Sequence, residues 1–237
     1  MSEYCEPIVL DDGLHVEVRR SARRRRVDLI IERDGQVVAA VPQHLPESDL
    51  TRILRDKQTW IYVTLDRKRR IEPAPPPKEY VSGEGFYYLG RKYRLKVLAD
   101  APATDTLQFR QGGFWLPKAL APQGRACFIH WYTEQAQAWI TARINRLKAR
   151  VAAAPHTLTI CDLGYRWGCC TEQGAVSFHW RTILLPPERI DALILHELVH
   201  LHEHHHGPAF YQRLRRVAPD YAEHQEWLRR YGNGYSL

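Results

Sequence analysis

The chain has 237 residues, of which 44% are hydrophobic, and it includes seven Trp and twelve Tyr. This composition excludes a disordered protein, and the length allows one large domain or two small ones, each with a buried core. The formal net charge is +7 and the isoelectric point is about 9.2, which permits binding to polyanions without requiring it.

Cysteine usage and hydropathy indicate the compartment. The five cysteines are odd in number and irregularly spaced, which argues against a disulfide framework. The sequence has no early signal-type apolar segment and no apolar run approaching about eighteen residues. We therefore expect a soluble, cytoplasmic protein with no membrane partner.

Residues 1–72 are predicted to form a β-hairpin and helix subdomain. A possible strand over residues 8–18 is followed by an arginine run over residues 19–26. We expect the first hairpin strand to start inside this run, Asp34-Gly35 to form the turn, and residues 37–41 to form the return strand. The arginines indicate either a solvated strand end or a patch that binds a nucleotide or nucleic acid.

A helix and a proline-rich linker complete this part of the chain. Residues 47–66 carry apolar side chains at helical spacing. The prolines that follow cannot continue a helix and form a stiff connection. We therefore predict a linker over residues 73–79 and a second domain over residues 80–237.

The second domain is predicted to mix helices and strands, which makes the chain α+β. Its first part should contain two hairpins with turns at Gly90-Arg91 and Gly112-Gly113. A long helix with an apolar aromatic stripe should follow and pack in the core. The remaining predicted elements are that helix at 124–151, strands at 157–161 and 175–180 around a turn-rich segment at 164–170, and helices at 209–217 and 219–231.

The most informative stretch is an H-E-x-x-H motif at residues 196–200, on a helix whose start is signalled by Pro186 and Pro187. His196 and His200 are separated by about 40° around the helix and about 6 Å of rise, so both imidazoles can bind one metal ion. Glu197 lies beside them, where it can take a proton from a metal-bound water.

Helix geometry selects a third ligand among the histidines that follow. His204 lies about 12 Å of helix rise beyond the first ligand, too far for one ion. His202 and His205 would point away from that ligand on a continuing helix. His206 requires the helix to end, and Gly207-Pro208 directly after it supplies such a break. We therefore predict His206 as the third ligand, with a fourth position left for water.

The sequence can be compared with two other ligand arrangements. One resembles the H-E-x-x-H-x-x-G-x-x-H plan with a later methionine turn, but Glu203 occupies the glycine position and Met1 is the only methionine. The other takes a glutamate from a later helix, where Glu223 and Glu226 are available. This second arrangement stays open on the sequence alone.

Upstream motifs add a family resemblance. Arg166-Trp167-Gly168-Cys169-Cys170, Trp180-Arg181 and residues 196–210, taken together, resemble the YgjP-like family of predicted zinc metallopeptidases, which is related to the SprT-like proteins. The similarity covers roughly residues 15–230. It implies a zincin-like catalytic domain with one Zn²⁺ per chain. The implied ligands are His196, His200 and His206, and the implied general base is Glu197.

Some residues depart from the family pattern or lack a settled role. Cys169, His179 and Tyr211 stand where the family usually has serine, asparagine and tryptophan. Arg166, Tyr165 and Tyr211 are candidates to stabilise an oxyanion, although Arg166 could instead form a structural ion pair. We expect Cys169 and Cys170 to be buried thiols, and Trp167 and Trp180 to serve packing.

Three functions follow, in order of support. The first is a zinc-dependent metallopeptidase that hydrolyses a peptide or protein with Glu197 as general base. The second is a metal-dependent nucleoside triphosphate pyrophosphohydrolase, although phosphate chemistry more often uses carboxylate-bound Mg²⁺. The third is a nucleic-acid-associated protease or adaptor that uses the basic N-terminal segment.

Overall fold

The computed structural model divides the chain into two compact units, Met1–Ala74 and Pro75–Leu237. Residues 4–6 and 66–71 are described by their backbone alone. The predicted Asp34-Gly35 turn, residues 72–76 of the proline-rich stretch and Tyr165 lie outside the described residues. The structure describes residues 4–10, 14–31, 36–71, 77–102, 106–164 and 166–237.

The first unit contains a four-stranded sheet. Its strands are β1 (Tyr4–Val9), β2 (His15–Ser21), β3 (Asp28–Ile31) and β4 (Val37–Pro42), in the spatial order β1-β2-β4-β3. β1 pairs antiparallel with β2, and β2 pairs parallel with β4. The prediction of one strand over residues 8–18 is therefore wrong, because the chain reverses between two antiparallel strands in this region.

The predicted hairpin exists, but its first strand begins later than expected. β3 and β4 pair antiparallel, and β3 starts at Asp28, beyond the arginine run. Residues 23–26 are exposed. Four consecutive guanidinium groups cannot alternate into an apolar face, so residues 23–26 stay outside the ladder, whereas Arg19 and Arg20 belong to β2. Within the run, Arg24 pairs with Asp28 at 2.5 Å.

A helix completes the apolar core of this unit. It is α1 (Glu47–Ile71), which continues five residues beyond the predicted end at residue 66. The extension carries Lys and Arg, which are good helix formers and continue the helix until the prolines approach. Its buried side chains share one face and belong to the same apolar cluster as those of the sheet: Leu50, Leu54, Ile61 and Leu65.

The second unit starts with a four-stranded sheet. Its strands are β5 (Gly85–Tyr88), β6 (Arg91–Leu98), β7 (Gln108–Arg110) and β8 (Gly113–Pro117), in the order β5-β6-β8-β7. Both predicted hairpins form, with each turn one residue earlier than expected. Positive φ angles occur at Leu89 and Gly90 and again at Gln111 and Gly112. Paired positive φ angles match the twist of two-residue hairpins.

The long helix α2 (Gly124–Val151) has the predicted bounds. Its buried side chains recur every four residues and include Phe128, Tyr132, Ala136 and Ile140. The helix ends where Ala152 adopts the left-handed conformation with φ 55°. The aromatic stripe is therefore core, as predicted.

A three-stranded sheet leads to the histidine helix. It contains β9 (Thr157–Cys161), β10 (Gly168–Cys170) and β11 (Ala175–His179), in the order β10-β11-β9. β9 and β11 are parallel, and β10 is an antiparallel edge strand. The turn-rich prediction for residues 164–170 is therefore wrong at its last three positions, which pair with β11.

Three helices complete the unit: α3 (Pro187–Val199), α4 (Pro208–Val217) and α5 (Tyr221–Tyr231). α3 ends at Val199, well before the break that we expected Gly207-Pro208 to supply. That pair instead begins α4, with Gly207 at the N-cap and Pro208 in the first turn, where a proline needs no backbone donor. Among the described residues, no helix combines the length and apolar character needed to span a bilayer.

Candidate metal centre

Three histidines converge at the end of α3. His196 lies in its last turn and His200 caps its C-terminus, while His206 returns from the following loop. The Nε2 atom of His206 lies 3.1 Å from the Nε2 atom of His196 and 3.1 Å from that of His200. The predicted ligand atoms thus all lie within 4.8 Å of one another.

This cluster fits a metal ion. Each neutral imidazole carries one proton, so three ring nitrogens that face a common point cannot all be satisfied by hydrogen bonds to one another. A cation at that point would accept a lone pair from each. Metal–nitrogen bonds of 2.0–2.1 Å at a tetrahedral angle would separate two ligand nitrogens by about 3.3 Å. The observed separations of 3.1 Å are close to this value.

The imidazoles are held in the form that a metal requires. The Nδ1 atom of His200 lies 3.0 Å from the carbonyl oxygen of Glu203, which can only accept, so Nδ1 carries the proton and Nε2 keeps its lone pair. Burial, together with the neighbouring His200 and His206, lowers the pKa of His196 to about 3. Burial also lowers the pKa of His200 and His206. All three are therefore neutral near pH 7.

The ring of Phe210 contacts all three imidazole rings. It is fully buried in the first turn of α4, and its ring centroid lies 5.0, 4.5 and 4.7 Å from those of His196, His200 and His206. The sequence motif includes this phenylalanine but gives no reason for it. The structure shows one apolar ring that fixes the positions of all three imidazoles.

The remaining candidate ligands lie elsewhere. The Nε2 atom of His202 lies 2.9 Å from the carbonyl oxygen of Val151, at the end of α2. His204 and His205 are exposed and lie outside the cluster. The prediction excluded them because a continuing helix would carry them away from His196, but α3 ends at Val199, before either residue. Glu223 is also outside the cluster, and Glu226 binds Arg229 and Arg230.

Glu197 lies in a different environment from the histidines. Its side chain is buried, with 5% of the residue exposed. Burial raises the pKa of this carboxyl to about 8, and the positive charge of Arg166 offsets part of the rise. Gly168 of β10 leaves the space that the carboxyl occupies, because a Cβ there would lie 2.7 Å from Oε1 of Glu197. The glycine of the R-W-G segment is therefore required by a close approach that its sequence context does not reveal.

The two cysteines after Gly168 face opposite sides of β10. Because side chains alternate along a strand, Cys170 shares the side of Gly168, and Cys169 points the other way. Both are partly exposed, so the prediction of buried thiols is wrong. Burial and the negative charge of Glu197 raise the pKa of Cys170 to about 11, which keeps its thiol neutral.

Two tyrosines lie near the cluster. The ring of Tyr221 stacks on that of His196 at 5.1 Å and 18°, and burial and the charge of Glu197 raise the pKa of its hydroxyl. Tyr211 is 42% exposed, and its ring lies 6.2 Å from that of His206. Our sequence prediction included Tyr211 and omitted Tyr221, which comes from α5 and carries no local signal.

The other motif residues hold the segment around β10 in place. His179 is buried, with Nε2 3.1 Å from Asp162, and its Nδ1 accepts a hydrogen bond from the backbone N–H of Arg181. The Arg181 guanidinium donates to the carbonyl of Tyr235 and lies 5.6 Å from the ring centre of Trp167. These contacts give His179 and Arg181 a structural role beside β10.

Comparison with known proteins relates the chain to a family and to a solved structure. The family model described as YgjP-like, metallopeptidase domain, matches residues 25–231. The crystal structure of the metallopeptidase zymogen of Pyrococcus abyssi abylysin is similar to part of the chain, with 17% sequence identity and a TM-score of 0.35. The similarity covers 37% of this chain and 89% of that one. No curated protein matches the chain significantly.

Proposed function

Because the chain belongs to the YgjP-like metallopeptidase family, we propose that it is a zinc metallopeptidase in which Glu197 is the general base. The observation that carries this proposal is the convergence of three neutral imidazoles, with Nε2 separations of 3.1 Å, beside a buried carboxyl. We further propose that the second unit is a zincin-like catalytic domain. The family match supports the coarser statement, a metal-dependent hydrolase.

The donor set supports zinc as the metal, with one ion per chain. Three imidazoles without a carboxylate suit zinc, copper, iron or nickel better than the oxygen-preferring Mg²⁺ or Ca²⁺. Three protein ligands with a further open position are the usual composition of a catalytic zinc site. His196, His200 and His206 would hold the ion, which when bound supplies a Lewis acid for the scissile carbonyl.

Glu197 would move the proton. Its carboxylate takes a proton from the attacking water and then gives it to the leaving amine, which a peptide bond requires because an unprotonated amide nitrogen leaves poorly. A carboxyl whose pKa is raised by burial holds that proton more readily near neutral pH than an exposed one. Contact with Gly168 limits the positions that the carboxyl can adopt.

The oxyanion that forms during the reaction needs a donor. The sequence candidates are Arg166, Tyr165 and Tyr211, of which Tyr165 lies outside the described residues, and Tyr221 joins them. We favour Tyr221, because its ring is stacked on a ligand and its raised pKa keeps the hydroxyl protonated and able to donate. Arg166 acts on the charge of Glu197, and Tyr211 is more exposed than Tyr221.

The edge strand β10 supports a peptide as the substrate. The backbone N–H of His179 donates to the carbonyl of Trp167, and that of Thr171 donates to Ala175, so the odd-numbered residues of this segment bond to β11. The peptide groups of Gly168 and Cys170 therefore point away from β11. An extended peptide could pair with them beside Glu197. A nucleotide would make no use of such a ladder.

Metal analysis and a cleavage assay test this proposal. We expect one zinc per purified chain, and cleavage of an unfolded protein such as reduced casein. His206→Ala should lose the zinc and the cleavage together, while His205→Ala, a neighbouring exposed histidine outside the cluster, should keep both. Pyrophosphate release from nucleoside triphosphates is measured in parallel. Zinc retained at full stoichiometry by His206→Ala, or zinc-dependent release of pyrophosphate without peptide cleavage, would contradict the proposal.

A further inference from the structure

The sheet formed by β5, β6, β8 and β7 carries only positive charge. Its strands contain five Lys or Arg residues and no Asp or Glu. One face is apolar and buried, with Leu95, Phe114 and Leu116 in the core. Because side chains alternate along a strand, the basic residues of β6 at alternate positions lie on the opposite face. Lys92, Arg94 and Lys96 are all exposed there.

An aromatic ring organises part of this basic face. Trp115 of β8 pairs with Lys96 of β6 on one side and Gln108 of β7 on the other. The Nζ atom of Lys96 lies 4.4 Å from the centre of the Trp115 ring, and the guanidinium carbon of Arg110 lies 4.7 Å from it. The indole N–H also donates to the carbonyl of Arg110 at 3.0 Å. Two cations are thus held beside one ring.

These cations have no carboxylate partner within the part of the chain that the structure describes. Lys92, Lys96 and Arg110 form no ion pair there. Elsewhere, the Arg143 guanidinium is paired with Asp191. Exposed charges contribute little to the free energy of unfolding, whether or not they are paired. The stability of the fold therefore gives no reason for these cations to be gathered on one sheet face. A polyanionic partner would account for their concentration on this face.

We propose that this face, comprising Lys92, Lys96, Arg110 and Trp115, binds single-stranded nucleic acid through its phosphates. Cations at alternate positions of β6 are roughly 6.7 Å apart, a spacing that an extended phosphodiester chain can follow. Positive grooves that contain aromatic rings are the usual way in which proteins bind single strands without sequence preference. A sheet face lacks the protruding helix that enters a duplex groove, which favours a single strand over a duplex.

The test is to titrate the full chain into a fluorescein-labelled strand of 20 thymidine nucleotides. The fluorescence anisotropy of the strand measures the affinity at several salt concentrations. Lys92→Glu/Lys96→Glu/Arg110→Glu should weaken binding roughly tenfold or more and reduce the slope of log affinity against log salt by about 2. Arg52→Glu/Arg55→Glu/Lys57→Glu changes the net charge equally at exposed positions of α1 in the other unit and should leave affinity within about twofold. The milder Lys92→Gln/Lys96→Gln variant gives the same comparison if the triple variant unfolds.

Several outcomes would overturn the proposal. Equal losses in the two triple variants would show a general charge effect, and a loss confined to the α1 variant would place the nucleic acid on that unit. Tighter binding of a duplex, of polyglutamate or of phosphatidylserine vesicles would assign the face to another partner. The experiment measures binding to nucleic acid, so its result does not depend on whether the protein cleaves peptides.

Discussion

The two sides of the candidate centre are built in different ways. The ligand side comes from eleven consecutive residues, 196–206, and His206 is exposed. The carboxylate side is assembled from distant segments: Glu197 on α3, Gly168 on β10 and Tyr221 on α5. The first depends on local geometry, whereas the second depends on how strands and helices pack.

This difference has a chemical reason. A metal ligand needs a lone pair at a fixed point, which one helix end and one loop can supply. A general base must also have a pKa suited to its task, and only surrounding groups can set it. Burial places the pKa of Glu197 at about 8, and that burial comes from residues far along the chain. Substitutions on the carboxylate side should therefore alter catalysis without releasing the metal.

The largest such effect is expected for Glu197→Gln. Removal of a general acid–base group lowers the rate about 10²- to 10⁴-fold. The imidazoles are untouched, so zinc should remain at one per chain. Cleavage rate and zinc content are measured on the same preparation. Glu203→Gln is the matched control, because only the backbone carbonyl of Glu203 contacts His200, and it should keep most activity. Full activity in Glu197→Gln would disprove the proposed base.

The same variant has a signature in the stability of the metal-free protein. The folded-state pKa of Glu197, about 8, lies above its ordinary value of 4.5, so the stability contributed by the protonated form is complete below pH 4.5 and is lost as the pH rises to 8. A glutamine does not ionise. Glu197→Gln should therefore gain stability relative to the parent over this range, by at most about 1.4 kcal/mol per pH unit. Chemical denaturation at several pH values measures the difference.

A smaller effect is expected for Tyr221→Phe. If its hydroxyl stabilises the oxyanion, loss of that donor should lower kcat about 10²-fold with little change in KM or zinc content. The ring that stacks on His196 is preserved by phenylalanine. Tyr211→Phe makes the same change on the exposed side and should alter kcat less than about threefold. The reverse ranking of the two variants would assign the donor role to Tyr211.

The sequence predicted local features of the fold better than pairing between segments. Regular apolar spacing set both ends of α2 correctly, because helix periodicity is a local property. It did not reveal that β2 pairs parallel with β4, or that residues 168–170 join β11 as an edge strand. Those pairings depend on partners distant in sequence.

The same division holds within the site. The spacing of His196, His200 and His206 in the sequence predicted the cluster that the structure shows. The predicted helix end was wrong, because α3 ends at Val199 and not near the glycine–proline pair. Tyr221 had no signal at all, because its helix reaches the cluster only through tertiary packing. Gly168 was visible as part of a motif, but its physical role appears only when Glu197 is placed against it.

Gly168→Ala tests this contact with the smallest chemical change. The backbone at Gly168 is outside the left-handed region, so alanine adds no conformational strain there. Its methyl group would have to displace the Glu197 carboxyl, since a Cβ would lie 2.7 Å from Oε1 and 2.9 Å from Cγ. Displacement of a catalytic group by a fraction of an ångström lowers the rate roughly 10- to 100-fold.

The matched control is Gly207→Ala, which adds the same methyl group next in sequence to His206, where no atom outside the two neighbouring residues lies within 4 Å of the added carbon. It should retain near-parental activity. Both variants should retain zinc, because neither substitution changes an imidazole. If Gly168→Ala were as active as Gly207→Ala, the carboxyl would have to tolerate movement, and the close fit between β10 and Glu197 would not determine the rate.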